Sequence, residues 1–141
     1  MSEYDAEFTE KIAAFCRRKP RFPIGAYAFM REAVDFAVKT VSQEDPKANG
    51  PRHVSGQELL DKIRVFLLIK YGPMARQVLD YWGVTHTEDF GEIVFDMVGL
   101  ELLSVSPEDS IDDFMHGFDF DEALVKPFQV PGPLPDLPKI D

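Results

Sequence analysis

Apolar residues recur along most of the chain at spacings of three and four, the period of an amphipathic helix rather than the alternation of a strand. Phe8, Ile12, Phe15 and Cys16 form the first such stripe, with Ser2 and Asp5 spaced as a capping pair before it and the Arg17-Arg18-Lys19-Pro20 cluster closing it. From Pro23 to Val41 two stripes coexist, Tyr27, Met30, Val34, Ala37 and Val41 on one face and Phe22, Phe29 and Phe36 on another. A helix that is apolar on two faces needs cover on both, so this segment is expected at the centre of the fold. Residues 43–54 are polar and carry Pro46, Asn49-Gly50 and Pro51, which predicts a long connecting loop and a candidate hinge. Ser55 with Glu58 reads as a capping box for a third helix carrying Leu59, Ile63, Phe66 and Leu67. Gly72-Pro73 ends that helix and opens a short fourth one, with Val78, Leu79 and Trp82, stopped by Gly83. The third and fourth helices make a helix-turn-helix pair.

Thr85 and Glu88 predict the cap of a fifth helix with Phe90, Ile93, Val94, Met97 and Val98 on its apolar face, closed by Gly99 and Leu100. Gly91 lies inside it. A mid-helix glycine costs about 1 kcal/mol relative to alanine, so Gly91 is expected to mark a close approach by a neighbouring helix. Leu102 to Val105 is a short apolar run, and Ser106-Pro107-Glu108-Asp109 reads equally as a helix start or as the turn of a hairpin. The expected fold is therefore mainly α: a compact domain of five to six helices over residues 1–125 with a helix-turn-helix centre. A small β-hairpin over 102–120 would complete a winged-helix-like outline. Residues 126–141 hold five prolines and Gly132, which predicts an extended or disordered tail. Pro135-x-x-Pro138 within it matches a groove-binding pattern that proline-rich ends produce by chance.

Bulk composition narrows the class. At 141 residues, 45% hydrophobic and 28% charged, the chain suits one globular domain. Its longest purely apolar run, Val65 to Ile69, is five residues, far from the ~20 of a membrane-spanning helix. The acidic opening Met1-Ser2-Glu3-Tyr4-Asp5 lacks the apolar stretch of a secretory leader, and Cys16 alone cannot form an internal disulfide; both fit a cytoplasmic protein.

Charge is more informative, because it is unevenly placed. The net charge is −10. Residues 1–76 carry 13 Lys and Arg against 10 Asp and Glu, whereas 77–141 carry 2 against 15. A strongly negative second half repels phosphate, so nucleic acid and anionic lipid are unfavoured partners. It is either a solubilising surface, a docking face for a basic protein, or a surface that meets the basic first half. In a winged helix, the fifth helix would read DNA, yet it offers Glu88, Asp89, Glu92, Asp96 and Glu101, and the wing offers Glu108, Asp109, Asp112 and Asp113.

Signatures of catalysis are missing from the sequence. His53, His86 and His116 have no metal-ligand spacing, and no nucleophile elbow or phosphate-cradling glycine loop occurs. The acids after His86 suit a helix N-terminus, and Cys16 suits a core. No cofactor or metal is expected. Polar and aromatic side chains next to helix starts, Arg52, His53, Ser55, Gln57, Trp82 and His86, are the candidate partner-binding surface, together with the acids Glu88, Glu92, Asp112 and Asp113.

Several motifs in order also resemble a family. Arg21-Phe22-Pro23, Ala26-Tyr27-Ala28-Phe29, Arg52-His53-Val54-Ser55-Gly56-Gln57-Glu58-Leu59-Leu60, Gly72-Pro73-Met74-Ala75, Trp82-Gly83, Asp89-Phe90-Gly91-Glu92-Ile93-Val94-Phe95 and Phe118-Asp119-Phe120 resemble a small group of proteins found mainly in planctomycetes and verrucomicrobia. The resemblance implies a bacterial, cytoplasmic single-domain protein and brings no activity, cofactor or catalytic residue with it. The functional expectation is thus a non-catalytic interaction or regulatory domain with an acidic docking face in its second half. The alternative is a winged-helix-like DNA-binding regulator working through the mildly basic first half, and third comes a small-molecule-binding protein or enzyme.

Overall fold

The computed structural model describes residues 3–45, 54–103, 111–115 and 117–129. Five α-helices account for most of them: α1 (Glu3–Arg18), α2 (Ile24–Glu44), α3 (Gly56–Tyr71), α4 (Ala75–Trp82) and α5 (Thr87–Gly99). The helix ends follow local chemistry. Pro23 precedes the first turn of α2 in extended backbone. Ser55 Oγ accepts the Glu58 N–H at 3.1 Å while Glu58 Oε1 accepts the Ser55 N–H at 3.1 Å, so the capping box of α3 is complete. A 3-10 turn, Gly72–Met74, joins α3 to α4. At the end of α4, Gly83 sits in the left-handed region (φ 74°, ψ 22°), and the Val84 N–H reaches back to Leu79 O at 2.9 Å. That is the reverse-turn cap a glycine permits without a Cβ penalty.

The central helix is α2. It packs against α1, α3 and α5, and buries Ala26, Tyr27, Phe29, Met30, Ala33, Ala37 and Val41. Two faces are covered, as the twin stripes require. The helices on either side of the 43–54 connection share this core: Phe29 and Phe36 of α2 stack on Phe66 of α3 at 5.6 and 5.0 Å between ring centroids. Glu44 still belongs to α2 and pairs with Lys62 of α3 at 2.9 Å. Of the expected loop, residues 46–53 lie outside the described residues, as does Ser2 of the first capping pair.

Two sequence expectations are corrected. The wing is the first: no strand occurs among the described residues, and the stretch expected as the second arm of a hairpin forms a 3-10 turn at Ile111–Phe114 followed by a π-helical turn at Asp121–Val125. Residues 104–110, including Ser106-Pro107-Glu108-Asp109, lie outside the described residues. The physical reason is where the backbone hydrogen bonds go: the Met115 N–H returns to Asp112 O and the Ala123 N–H to Asp119 O, both at 3.0 Å, while Phe114 O and the Gly117 N–H are taken by the Thr87 hydroxyl, so these groups are spent locally rather than on a ladder. Second, the cap of α5 starts one residue later than Thr85: His86 is the N-cap, and Asp89 takes the N–H groups of Thr85 and His86 at 2.8 and 3.2 Å. At its other end α5 closes as expected, with Gly99 its last residue and Leu100 its C-cap; Glu101 beyond it is left-handed (φ 60°), and the Leu102 N–H bonds to Met97 O at 2.9 Å.

Residues 111–128 act as a strap across the helices. The 3-10 turn packs on α5 and on the start of α3, and the π-helical turn on α4 and α3. Gly91 is where the strap comes closest: a Cβ there would lie 3.0 Å from Cβ, Cγ and Cδ2 of Phe114. The close approach expected at Gly91 is real, and the approaching element is this turn. Thr87, the one buried polar residue among those described, locks it in place. Its hydroxyl donates to Phe114 O at 2.7 Å and accepts the Gly117 N–H at 3.1 Å. Phe118 and Phe120 pack against Phe90 at 6.4 and 5.8 Å. A short 3-10 turn, Lys126–Phe128, falls at the start of the expected tail, and residues 130–141 lie outside the described residues.

Candidate functional site

The acidic row on α5 has a task inside the molecule. Asp89, Glu92 and Asp96 recur at helical spacing on the face turned towards the α1–α2 junction. From that junction Lys19 reaches Asp96 at 3.0 Å and Glu92 at 3.5 Å, and Arg21 reaches Asp89 at 3.1 Å and Glu92 at 3.5 Å. Beneath them the fully buried Tyr27 donates its hydroxyl to Asp96 Oδ2 at 2.8 Å. Part of the uneven charge is therefore spent on joining the basic first half to the acidic second half. Each partly exposed pair is worth about 0–1 kcal/mol, so the row fixes register more than it adds stability.

Electrostatics around this row are coherent. Burial, and then the Asp96 carboxylate that accepts its hydrogen bond, push the Tyr27 phenol far above the ordinary tyrosine value. Burial pulls the Lys19 ammonium down, but Asp96 and Glu92 outweigh it and hold lysine above its usual value. Cys16 is half-buried beside this cluster, with Sγ 3.6 Å from Phe22 O, and burial followed by the Asp96 charge raises its thiol. A thiol raised in this way is a poor nucleophile, in keeping with a core role.

A second polar surface is built differently. Between the first turns of α3 and the strap lies a trough of about 280 Å³, open to solvent. Its apolar floor is Leu60, Met115 and Phe118, and its polar rim is Gln57, Asp61, Arg64 and Asp113. Arg64 pairs with Asp61 one turn away at 2.9 Å. The strap wall is seated by small residues: a Cβ at Gly56 would lie 2.6 Å from Cβ of Asp113, and one at Gly117 would lie 2.6 Å from Thr87 Oγ1. The trough therefore exists because Thr87, Gly56 and Gly91 let the strap lie this close to α3 and α5.

Sequence candidates fall into four places. Gln57 and Asp113, distant in sequence, meet in the trough, with exposed Asp112 next to one and the capping Ser55 two residues from the other. Trp82 is corrected from surface to core: it is 8% exposed and packs on Phe29 and Tyr71 at 5.3 and 6.0 Å. His86 is exposed at the start of α5, with Nδ1 2.8 Å from Thr85 Oγ1, and half-buried Glu88 lies in the same first turn, while Glu92 is engaged by Lys19 and Arg21. Arg52 and His53 lie outside the described residues, as does His116. Sequence reasoning missed Asp61, Arg64, Met115 and Phe118. Asp61 and Arg64 are detectable as an i,i+3 pair on the polar side of α3, but their neighbours across the trough come only from the tertiary fold.

Among the described residues, no three His, Cys, Asp or Glu side chains gather closely enough to hold a metal ion, and no helix is long and apolar enough to cross a membrane. The trough is smaller than the ~300–1,000 Å³ typical of sites for drug-sized ligands and cofactors. What it can do chemically is take one or two side chains: an apolar group on its floor and a polar or charged one at its rim. No family model, curated protein or solved structure matches the chain, so the family resemblance carried by the motifs stands as a proposal.

Proposed function

We propose that this protein is a non-catalytic docking domain, and that its docking face is the trough between α3 and the strap rather than the acidic row of α5. One observation carries the reading. Apolar side chains lie open to solvent beneath a ring of polar groups, with Met115 45% exposed beside half-buried Phe118, whereas the α5 acids already have cations of the same chain across from them. Solvent-facing apolar surface rimmed by polar groups is the form of an interaction site. Acidity alone is not, because an acidic surface also serves solubility. A DNA-binding role draws no support from this arrangement: the α5 face toward the first half is occupied by Asp89, Glu92 and Asp96, and the expected hairpin wing has no counterpart among the described residues.

Site-specific photo-crosslinking in the native cell tests this reading. A benzophenone side chain in place of Gln57 or Met115 should give discrete adducts with another protein, and one in place of the 84% exposed Tyr81 should not. Equal adducts from all three positions, or none from the trough, would count against it.

A further inference from the structure

We infer that the first turn of α2, floored by the indole of Trp82, binds a carboxylate group through the Ile24 and Gly25 N–H groups and Trp82 Nε1–H. The site goes beyond the docking reading and shares no residue with the trough. Two independent observations carry it. The first is the open start of α2. Its N-cap is Pro23, which has no side-chain acceptor, and no acid stands in the first turn. The Ala26 N–H turns back to Pro23 O at 3.0 Å, whereas the Ile24 and Gly25 N–H groups come too early in the helix to reach one of its carbonyls. Both residues are exposed, Ile24 at 44%. These donors lie at the positive end of a 21-residue helix, where an anion is favoured.

The second observation is a buried donor aimed at that turn. Trp82 is 8% exposed, and among the described residues its indole N–H has no hydrogen-bond acceptor. Buried donors are nearly always paired, so one left open against a bare helix start points to an acceptor from outside the chain. The nitrogen edge is what meets α2: a Cβ at Gly25 would lie 3.2 Å from Nε1 and 3.8 Å from Cε2. Because residue 25 is glycine, the space between the indole N–H and the turn stays open. The class of ligand follows from the donors. Three neutral N–H groups match the two oxygens of a carboxylate. Arg21, which bonds Gly83 O beside Trp82 at 3.5 Å, already faces Asp89 and Glu92. With that charge shared, on a chain of net charge −10, a singly charged carboxylate is favoured over the more highly charged phosphate.

Nuclear magnetic resonance of the intact chain reads the site directly, because one tryptophan gives one indole N–H signal. At pH 7 and constant ionic strength, sodium acetate replacing sodium chloride should move that signal and the Ile24 and Gly25 amides along a saturating curve. Gly25→Ala sets a methyl against Nε1 and should weaken acetate about tenfold or more. Pro23→Asp gives the chain its own carboxylate at the N-cap, which takes the open N–H groups. That variant should abolish the acetate shifts while holding or raising the melting temperature, so a folding defect cannot account for the loss. Acetyl-Gly-Asp-Gly-amide saturating at lower concentration than acetate would identify an acidic side chain of a partner as the source of the carboxylate. Acetate saturating as early or earlier would identify a small free acid. Inorganic phosphate saturating before both would overturn the carboxylate class. Shifts that do not saturate or are spread over the chain, or both variants binding acetate as the parent does, would overturn the site itself. None of these outcomes bears on the trough, so the docking reading stands or falls by its own test.

Discussion

Replacing Gly91 by alanine sets two effects of opposite sign against each other. In the interior of α5, alanine gains about 1 kcal/mol over glycine from backbone entropy. The new methyl would meet Phe114 Cβ, Cγ and Cδ2 at 3.0 Å. Those atoms cannot swing aside, because Phe114 is 3% exposed and its carbonyl is held by Thr87 at 2.7 Å. Overpacking of this kind costs about 1–3 kcal/mol, so the net change should be a loss of about 1 kcal/mol, or a fall of about 3–5 °C in melting temperature for a chain of this size. Gly99 supplies the internal control. It belongs to the same helix, a Cβ there meets nothing within 4 Å, and Gly99→Ala should be neutral or stabilising by a few tenths of a kcal/mol. Urea unfolding followed by Trp82 fluorescence and far-ultraviolet circular dichroism measures both. If Gly91→Ala is as stable as Gly99→Ala, the strap does not press on α5 and the reasoning is refuted.

Further outcomes follow from other contacts. Thr87→Val keeps the shape but leaves Phe114 C=O and Gly117 N–H without their partner, which costs about 1–3 kcal/mol for the buried group; Thr87→Ser should recover most of it, and hydrogen exchange over residues 112–118 should accelerate in the valine variant alone. Tyr27 and Lys19 both titrate higher in the folded chain than in the unfolded one, so their contribution is complete below about pH 10, where unfolded tyrosine and lysine still hold their protons, and is lost as pH rises beyond it. Melting temperature should therefore fall between about pH 9.5 and 11, and Tyr27→Phe should flatten that slope; an unchanged slope would contradict the Asp96 contact. Glu101→Gly relieves a left-handed backbone position that costs an ordinary residue about 1 kcal/mol, and thermal unfolding should show a gain of up to that amount. Cys16 should react with a thiol reagent at pH 8 more slowly than a cysteine in an unfolded peptide, because burial and Asp96 hold it protonated.

Much of the fold was legible because its signals are local. The Ser55–Glu58 capping box, the stop at Gly83 and the twin stripes of α2 each rest on chemistry within one or two turns, and each appears in the structure. The start of α5 was misplaced by one residue because Thr85-x-x-Glu88 and His86-x-x-Asp89 are both cap-like spacings. What decides between them is tertiary: the chosen frame aims Thr87 into the core, where it clamps the strap. A hairpin was expected because Ser106-Pro107-Glu108-Asp109 reads locally as a turn after the apolar run Leu102 to Val105, whereas the turn holding Phe114 packs on α5 and α3 and the one holding Leu124 on α4 and α3, contacts that no local pattern carries.

The site was legible only in pieces. Gln57 was picked out as a polar residue next to a helix start and Asp113 as an acid of the expected wing, yet their meeting depends on the contact between Asp113 and Gly56, which no local pattern encodes. The charge asymmetry pointed to an acidic face and was silent on which acids would be spent internally. Lys19 and Arg21 meet Asp96 and Asp89 across 77 and 68 residues of sequence, and that pairing is the reason the proposed docking face is the trough rather than the α5 row.

The central claim is that the trough, and not the α5 row, is the face that docks a partner. Hydrogen–deuterium exchange of the intact chain, with and without the protein that crosslinks to it in the cell, addresses it most directly. The bound protein should slow exchange in residues 57–64 and 113–118 and leave residues 17–21 and 89–96 as they were. Protection centred on 17–21 and 89–96, with the trough unchanged, would contradict it.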